Sequence, residues 1–350
     1  MQSDTTVKAS TVILAAVAVG FVAYRADVVF APLTLGLFII AIVWPLQEAL
    51  QRRMPALLAL AITMLAVTGA MLGFASLAVW GFGRVGHSVV ADSARYQALY
   101  DKLVDWLEGH GVSVAGLWAE HFNVGWALRW VQQITGRLNG TLSFWLITAL
   151  YVILGLMEVE SLRAKAKAHL PRETARALLA ATGDTARKFR KYLEVRSLMS
   201  LATGALVGFF AWGVGLPFAL EWGVIAFVLN YIPFIGPFIA TLFPTLLAMA
   251  QFDTWQAVIT VFVCLNIIQF VIGSYLEPLV SGNVLSISPT VVLLAVFFWT
   301  WVWGLYGAFI GVPIALAILT FCAHYPSSRW IAGLFGGPPE SPVPPKRAAS

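Results

Sequence analysis

The feature that most constrains this chain is the length of its uncharged runs. No lysine or arginine occurs between Arg196 and Arg329, and the only acids in that interval are Glu221, Asp253 and Glu277. A run of about 18 apolar residues suffices to cross the roughly 30 Å hydrocarbon core of a bilayer as a helix. Inside that core the backbone must satisfy its own hydrogen bonds, which leaves helices and closed barrels as spanning structures. Runs of helix length point to helices. Composition agrees: 59% of residues are hydrophobic and 11% charged, against about 25% charged in a typical soluble domain. The expected fold is an all-α polytopic membrane protein with about eight transmembrane spans.

Charge divides the chain further. Residues 1–83 hold three expected spans, Ser10–Tyr24, Val28–Leu50 and Pro55–Gly83. A signal peptide is the competing reading of the first. Residues 84–139 carry five basic and five acidic residues, with Leu99, Leu103, Trp106 and Leu107 at the spacing of an amphipathic helix. They read as an extracytoplasmic helical insert. Residues 140–157 form a fourth span. Residues 158–196 are a basic segment: ten of the chain's 22 lysines and arginines lie between Arg163 and Arg196. Between spans, such a segment marks the cytoplasmic side rather than a nucleic-acid surface. Pro171 is expected to open one helix there, and Asp184 to cap a second. Residues 197–325 form the C-terminal core, and the proline-rich residues 326–350 a disordered tail. With eight spans, both termini are cytoplasmic.

The sequence offers no catalytic signature. Cys264 and Cys322 fall in apolar runs, and the five histidines lack ligand spacing. There is no P-loop, HExxH or GxSxG pattern. Neither enzyme activity, nor a cofactor, nor a metal is expected.

The C-terminal core has interrupted helices. The stretch LNYIPFIGPFIA sets Asn230, Pro233, Gly236 and Pro237 inside an apolar run from Trp222 to Ala250. A proline in a helix interior costs about 3 kcal/mol or more. The run from Pro289 to Cys322 is about 34 residues, or about 51 Å as a straight helix, far beyond the hydrocarbon core. Gly304, Gly307, Gly311 and Pro313 are expected to break it. Two such interruptions, re-entrant or spanning, are a pattern of transport sites, where freed carbonyls and helix ends meet ions or polar solutes. Between them, Asn266, Gln269, Gly273 and Glu277 fall on one helical face at 100° per residue. A polar stripe ending in a carboxylate should face protein or water. Glu277 precedes Pro278, and the small polar loop Ser281–Ser288 leads to Pro289. Interhelical hydrogen bonding for Asn266 and Gln269, and an interfacial acid for Glu277, are the plainer alternatives.

The motifs NYIPFIGP, IIQFVIGSYLEP and LSISPTVVLLAVFFWTWVWGLYGAFIGVPIALAI resemble, in order and spacing, the autoinducer-2 exporter family of bacterial permeases, also called PerM-like. The resemblance covers most of residues 10 to 325. It implies a multi-pass transporter of the bacterial inner membrane that forms homo-oligomers. It also implies export of a small polar metabolite such as the quorum-sensing signal autoinducer-2, or, in other members, sodium–proton antiport with H+ or Na+ as coupling ion. Carried over by position, the family motifs fall on Asn230, Pro233, Gly236, Pro237, Gln269, Glu277, Pro278, Ser288, Pro289, Gly304, Gly307 and Pro313. One position departs: the family has a basic residue after the Glu-Pro pair, and here it is Leu279. The sequence therefore names no partner for Glu277. A non-transporting membrane scaffold is the third reading, and it would tolerate changes at Glu277 and the prolines.

Overall fold

The protein is described from a computed structural model. It covers residues 20–22, 24–91, 109, 138–252, 254–282 and 287–336. The first expected span, the insert 84–139, the loop residues Asn283 and Ser286, and the end of the tail lie largely or wholly outside these residues. The described residues are nearly all helical, with one isolated bridge between Ile287 and Gly336. In chain order they are α1 (Asp27–Gln51), α2 (Ala56–Ala91), α3 (Leu138–His169), α4 (Arg172–Gly213), α5 (Ala219–Leu229), α6 (Ile235–Gln251) and α7 (Trp255–Val271). A π-helical turn (Ile272–Leu276) continues α7 into α8 (Glu277–Ser281), followed by α9 (Pro289–His324) and α10 (Arg329–Phe335). Six of the described helical segments are long and apolar enough to cross a membrane, and α5 and α6 are shorter apolar helices. The chain is a multi-pass membrane protein.

The basic segment is not a separate pair of helices. α3 and α4 run unbroken out of the apolar stretches into it. Gly183 and Asp184 sit inside α4, so the expected cap at Asp184 is not formed. The Asp184 carboxylate bonds Arg187 and His324 instead. Continuous helix keeps every backbone group paired and frees the aspartate side chain for tertiary contact. Pro171 does precede α4, where its missing N–H costs nothing.

The helices pack into two compact units. The first comprises residues 1–67, 143–192 and 282–350. Its core joins Phe38 and Phe189 edge to face, with centroids 4.4 Å apart, and Phe144 and Tyr306 in a stack at 3.8 Å. Gly36 lets α1 approach α3: a Cβ there would sit 3.1 Å from Tyr151 Cβ. Its most unusual element is α9. Trp303 and Gly304 leave helical geometry, Gly304 at φ 60° and ψ −138°, a conformation open essentially to glycine alone. A Cβ on Gly311 would lie 2.8 Å from the Ala295 carbonyl, and one on Gly307 would collide with the Trp299 carbonyl. In a straight helix residues 295 and 311 would be about 24 Å apart. The 36 residues of α9 therefore fold back on themselves as a helical hairpin, with Gly307 and Gly311 at the crossing.

The second unit comprises residues 68–142 and 193–281. Its core is Val207, Trp222, Ile225, Leu229, Leu247, Val261 and Leu265, among others. The expected long run 222–250 is here a second hairpin, α5 and α6. Their 11 and 17 residues make lengths of about 16 and 25 Å, each short of the hydrocarbon thickness. The reversal occupies Asn230–Phe234. Ile232 N donates to the Leu229 carbonyl at 2.9 Å and Ile235 N to the Pro233 carbonyl at 2.7 Å. Phe234 stands at φ 62°, strained for a side-chain-bearing residue. Gly236 is pressed on the Leu229 carbonyl, leaving no room for a Cβ. Pro237 sits in the first turn of α6, where a helix N–H is orphaned in any case.

Candidate functional site

The site is built on one face of α4. Arg196, Ser200, Gly204 and Gly208 recur every four residues, so they share that face. Gly204 and Gly208 bring α5 close: a Cβ on either Gly204 or Gly223 would lie 2.7 Å from the other's carbonyl oxygen. With backbones in contact, the end of α5 lands on the serines. Asn230 Nδ2 donates to Ser200 Oγ at 3.2 Å, and the Tyr231 hydroxyl meets Ser197 Oγ at 2.8 Å. Ser200 is 0% and Asn230 5% exposed. A proline-terminated turn thus sets its two polar residues against α4, inside the unit.

One turn before Ser200, Arg196 meets Glu277. Nη1 donates to both carboxylate oxygens at 2.9 Å each. Arg196 is buried and Glu277 half-buried. The partner that the sequence withheld from Glu277 thus lies 81 residues upstream. A single nitrogen spans both oxygens, unlike the two-nitrogen fork of many arginine–carboxylate pairs. Arg196 Nε is consequently buried with no hydrogen-bond partner among the described residues. Burying two charges is tolerable only when each is paired, so this contact holds α4 to the end of the seventh helix.

The π-turn aims Glu277. Its backbone N–H donates to the Ile272 carbonyl, five residues back. The wider turn inserts one residue relative to an α-helix, so side chains beyond it are offset by about 100°. The expected stripe therefore splits. Asn266 is exposed and donates to its own helix, to the Phe262 carbonyl at 2.8 Å. Gly273 faces open space. Gln269 is partly buried, and its Nε2 has no partner among the described residues. Pro278 is exposed. Asn230, Pro233, Gly236, Pro237, Gln269 and Glu277 all belong to the second unit, whereas Ser288, Pro289, Gly304, Gly307, Gly311 and Pro313 belong to the first. There Ser288 N donates to the Phe335 carbonyl at 3.2 Å, and Pro289 opens α9. Gly307 and Gly311 make the hairpin crossing, and the break itself falls at Trp303–Gly304.

Sequence reading missed Arg196, Ser197, Ser200 and Tyr231. Arg196 reads as the last charge of a solvated basic run. The signal that distinguishes it is the four-residue recurrence with Ser200, Gly204 and Gly208. Glu221 was also passed over. It is buried, and its Oε1 pairs with the exposed Arg84 Nη1 at 3.0 Å. Glu48 forms an exposed pair with Arg52 one turn away.

Comparison with known proteins adds a family. A family described as AI-2E family transporter matches residues 12–327. The AI-2 transport protein TqsA of Escherichia coli strain K12 is 28% identical over 298 residues, which is 83% of this chain and 84% of that protein. A provisionally named transport protein of Haemophilus influenzae is 26% identical over 327 residues, 88% of this chain and 90% of its own. One of Borreliella burgdorferi is 39% identical over 129 residues, 37% of this chain and 36% of its own.

Proposed function

Since this chain belongs to the AI-2E family of transporters, we propose that its second unit carries a small polar solute across the bacterial inner membrane, at the layer formed by Arg196, Ser197, Ser200, Asn230, Tyr231, Gln269 and Glu277. The observation that supports this most is the pair of buried donors, Arg196 Nε and Gln269 Nε2, without partners among the described residues. An unmet buried donor costs about 1–3 kcal/mol, and a polar solute or water supplying acceptor oxygens relieves that cost. The hydroxyls next to Arg196 along α4, on Ser197 and Ser200, and the Tyr231 hydroxyl bonded to Ser197 suit a solute carrying several oxygens. Autoinducer-2, which the name of the Escherichia coli relative specifies, is the first candidate. The two short hairpins serve as re-entrant elements, entering the bilayer and leaving on the same side. The termini are cytoplasmic, and the protein works as a homo-oligomer.

Sodium–proton antiport is the less favoured reading. Both Glu277 oxygens already receive Arg196 Nη1, and a carboxylate whose charge is met by a guanidinium attracts a further cation less than a lone one does.

Reconstitution tests the proposal. Proteoliposomes of the full chain are assayed with autoinducer-2 and a panel of neutral oxygen-rich solutes, with and without imposed H+ and Na+ gradients. The expected result is saturable solute flux. Ion exchange with no flux of any oxygen-rich solute would overturn this reading in favour of antiport.

A further inference from the structure

The Tyr231 hydroxyl is placed by contacts from outside its own hairpin. Tyr231 lies two residues past the end of α5 and donates to Ser197 Oγ on α4 at 2.8 Å. The hydroxyl stands at the far end of a rigid ring, so a change of χ1 well swings it away from Ser197. Two rings fix that angle. Phe227 meets Tyr231 edge to face, with centroids 5.7 Å apart and planes at 84°. Phe74 also meets it edge to face, at 5.2 Å and 87°. Both separations fall in the preferred range of aromatic pairs, about 4.5–7 Å. Phe74 and Phe227 are themselves 6.1 Å apart, which closes a cluster of three rings. Phe227 belongs to α5 and travels with the turn. Phe74 belongs to α2, so of the two it alone ties Tyr231 to a separate helix.

The position of Phe74 is itself secured. These residues all lie in the second unit, where α2 runs along α5. Gly81 permits the approach: a Cβ there would sit 3.3 Å from Ile225 Cγ1 and 3.6 Å from the Glu221 carbonyl oxygen. One turn on, Arg84 Nη1 pairs with Glu221 Oε1 at 3.0 Å. Phe74, Gly81 and Arg84 share one side of α2 at 100° per residue. We propose that Phe74 is a positioning residue of the polar layer, acting through Tyr231 and not by its own contact with solute. A site group must be held within about 0.5 Å by packing around it, and Phe74 supplies that packing. Without its ring the hydroxyl leaves Ser197, and the layer loses one oriented group. Solute affinity then falls while the maximal rate is kept, as when an interaction common to ground and transition states is removed. The placement of Tyr231 rests on ring geometry alone. Its consequence for transport rests on the solute reading above.

The test uses the full chain in nanodiscs with 3-fluorotyrosine in place of tyrosine. The sequence has nine tyrosines, and Y231F identifies the Tyr231 signal by its loss. The shift of that fluorine signal between H2O and D2O reports exposure to water and not ring current. It should be larger in F74L than in wild type. Proteoliposome flux of autoinducer-2 is the second readout. F74L should raise KM about threefold to tenfold, the range of one hydrogen bond, with maximal flux unchanged. F74Y keeps the ring and should restore KM. Y231F keeps its ring and lacks the hydroxyl, so adding F74L to it should raise KM no further. An unchanged isotope shift in F74L would overturn the proposal, whether or not flux is seen. So would an equal KM rise from F74L in Y231F and in wild type, because Phe74 would then act without the hydroxyl. Absence of saturable flux in wild type would overturn the solute reading, and the isotope shift would still decide the placement of Tyr231. Should F74L fail to fold, F74I takes its place.

Discussion

The two helical hairpins reverse the chain by the same backbone device and fill the reversal with opposite chemistry. Each presses a glycine on a carbonyl of the opposing arm, Gly236 on Leu229 and Gly307 on Trp299. Each turns through a residue of positive φ, Phe234 and Gly304. In α9 the reversal is lined by Trp303, packed on Trp299 at 4.6 Å and buried in an aromatic core. Between α5 and α6 it presents Asn230 and Tyr231, both hydrogen-bonded to serines of α4. The close crossing needs only a glycine, so the turn residues are free either to strengthen packing or to build a polar layer. We read the first hairpin as scaffold and the second as site.

The largest expected effect should be common to both. Gly236→Ala and Gly307→Ala place a Cβ on backbone that cannot yield, and overpacking costs about 1–3 kcal/mol even where side chains can move. Neither variant should give monodisperse protein in detergent by size-exclusion chromatography. A well-folded Gly307→Ala would break the hairpin reading of α9. The next effect should separate the two. Trp303→Ala removes a buried aromatic side chain and should cost about 3–5 kcal/mol of stability, with KM unchanged in the protein that folds. Asn230→Ala should cost about 1–2 kcal/mol and reduce transport well beyond that loss. Thermal unfolding beside proteoliposome flux checks both.

The hairpins were partly legible. Pro233, Gly236, Pro237, Gly304, Gly307 and Gly311 marked where helices could not run straight, because backbone chemistry is local. That Gly307 and Gly311 form a crossing depends on the chain returning past Ala295 and Trp299, which no local rule states. The stripe from Asn266 to Glu277 failed for a related reason. Its 100° register assumes an unbroken α-helix, and the π-turn at Ile272–Leu276 shifts everything after it. Arg196 was hidden by its neighbours, since a run ending in RKYLEVR reads as solvated until burial is known. The all-helical class and the multiple spans were plain, because apolar length alone determines them.

Smaller effects sharpen the contrast. Phe234 holds positive φ with a side chain, which costs roughly 1–2 kcal/mol. Phe234→Gly should therefore leave stability unchanged or raise it by up to about 1 kcal/mol, whereas Gly304→Ala should lower it. A gain in stability with a loss of flux in Phe234→Gly would mean that the strain at this turn serves transport. Glu48→Gln removes an exposed pair one turn long and should change stability by no more than about 0.5 kcal/mol, with normal flux. That variant is the baseline for what losing a carboxylate does away from the site.

The central claim is that the Arg196–Glu277 pair and its polar neighbours handle the solute. The most direct measurement is proteoliposome flux of Glu277→Gln against Glu221→Gln, each with matched size-exclusion and thermal-unfolding controls. Both remove one charge from a pair with arginine in the same unit, Glu277 with Arg196 and Glu221 with Arg84. The account predicts that Glu277→Gln, which leaves buried Arg196 without its carboxylate, loses stability and loses solute flux in the fraction that folds, and that Glu221→Gln retains flux whatever it loses in stability. Wild-type flux in folded Glu277→Gln would contradict it.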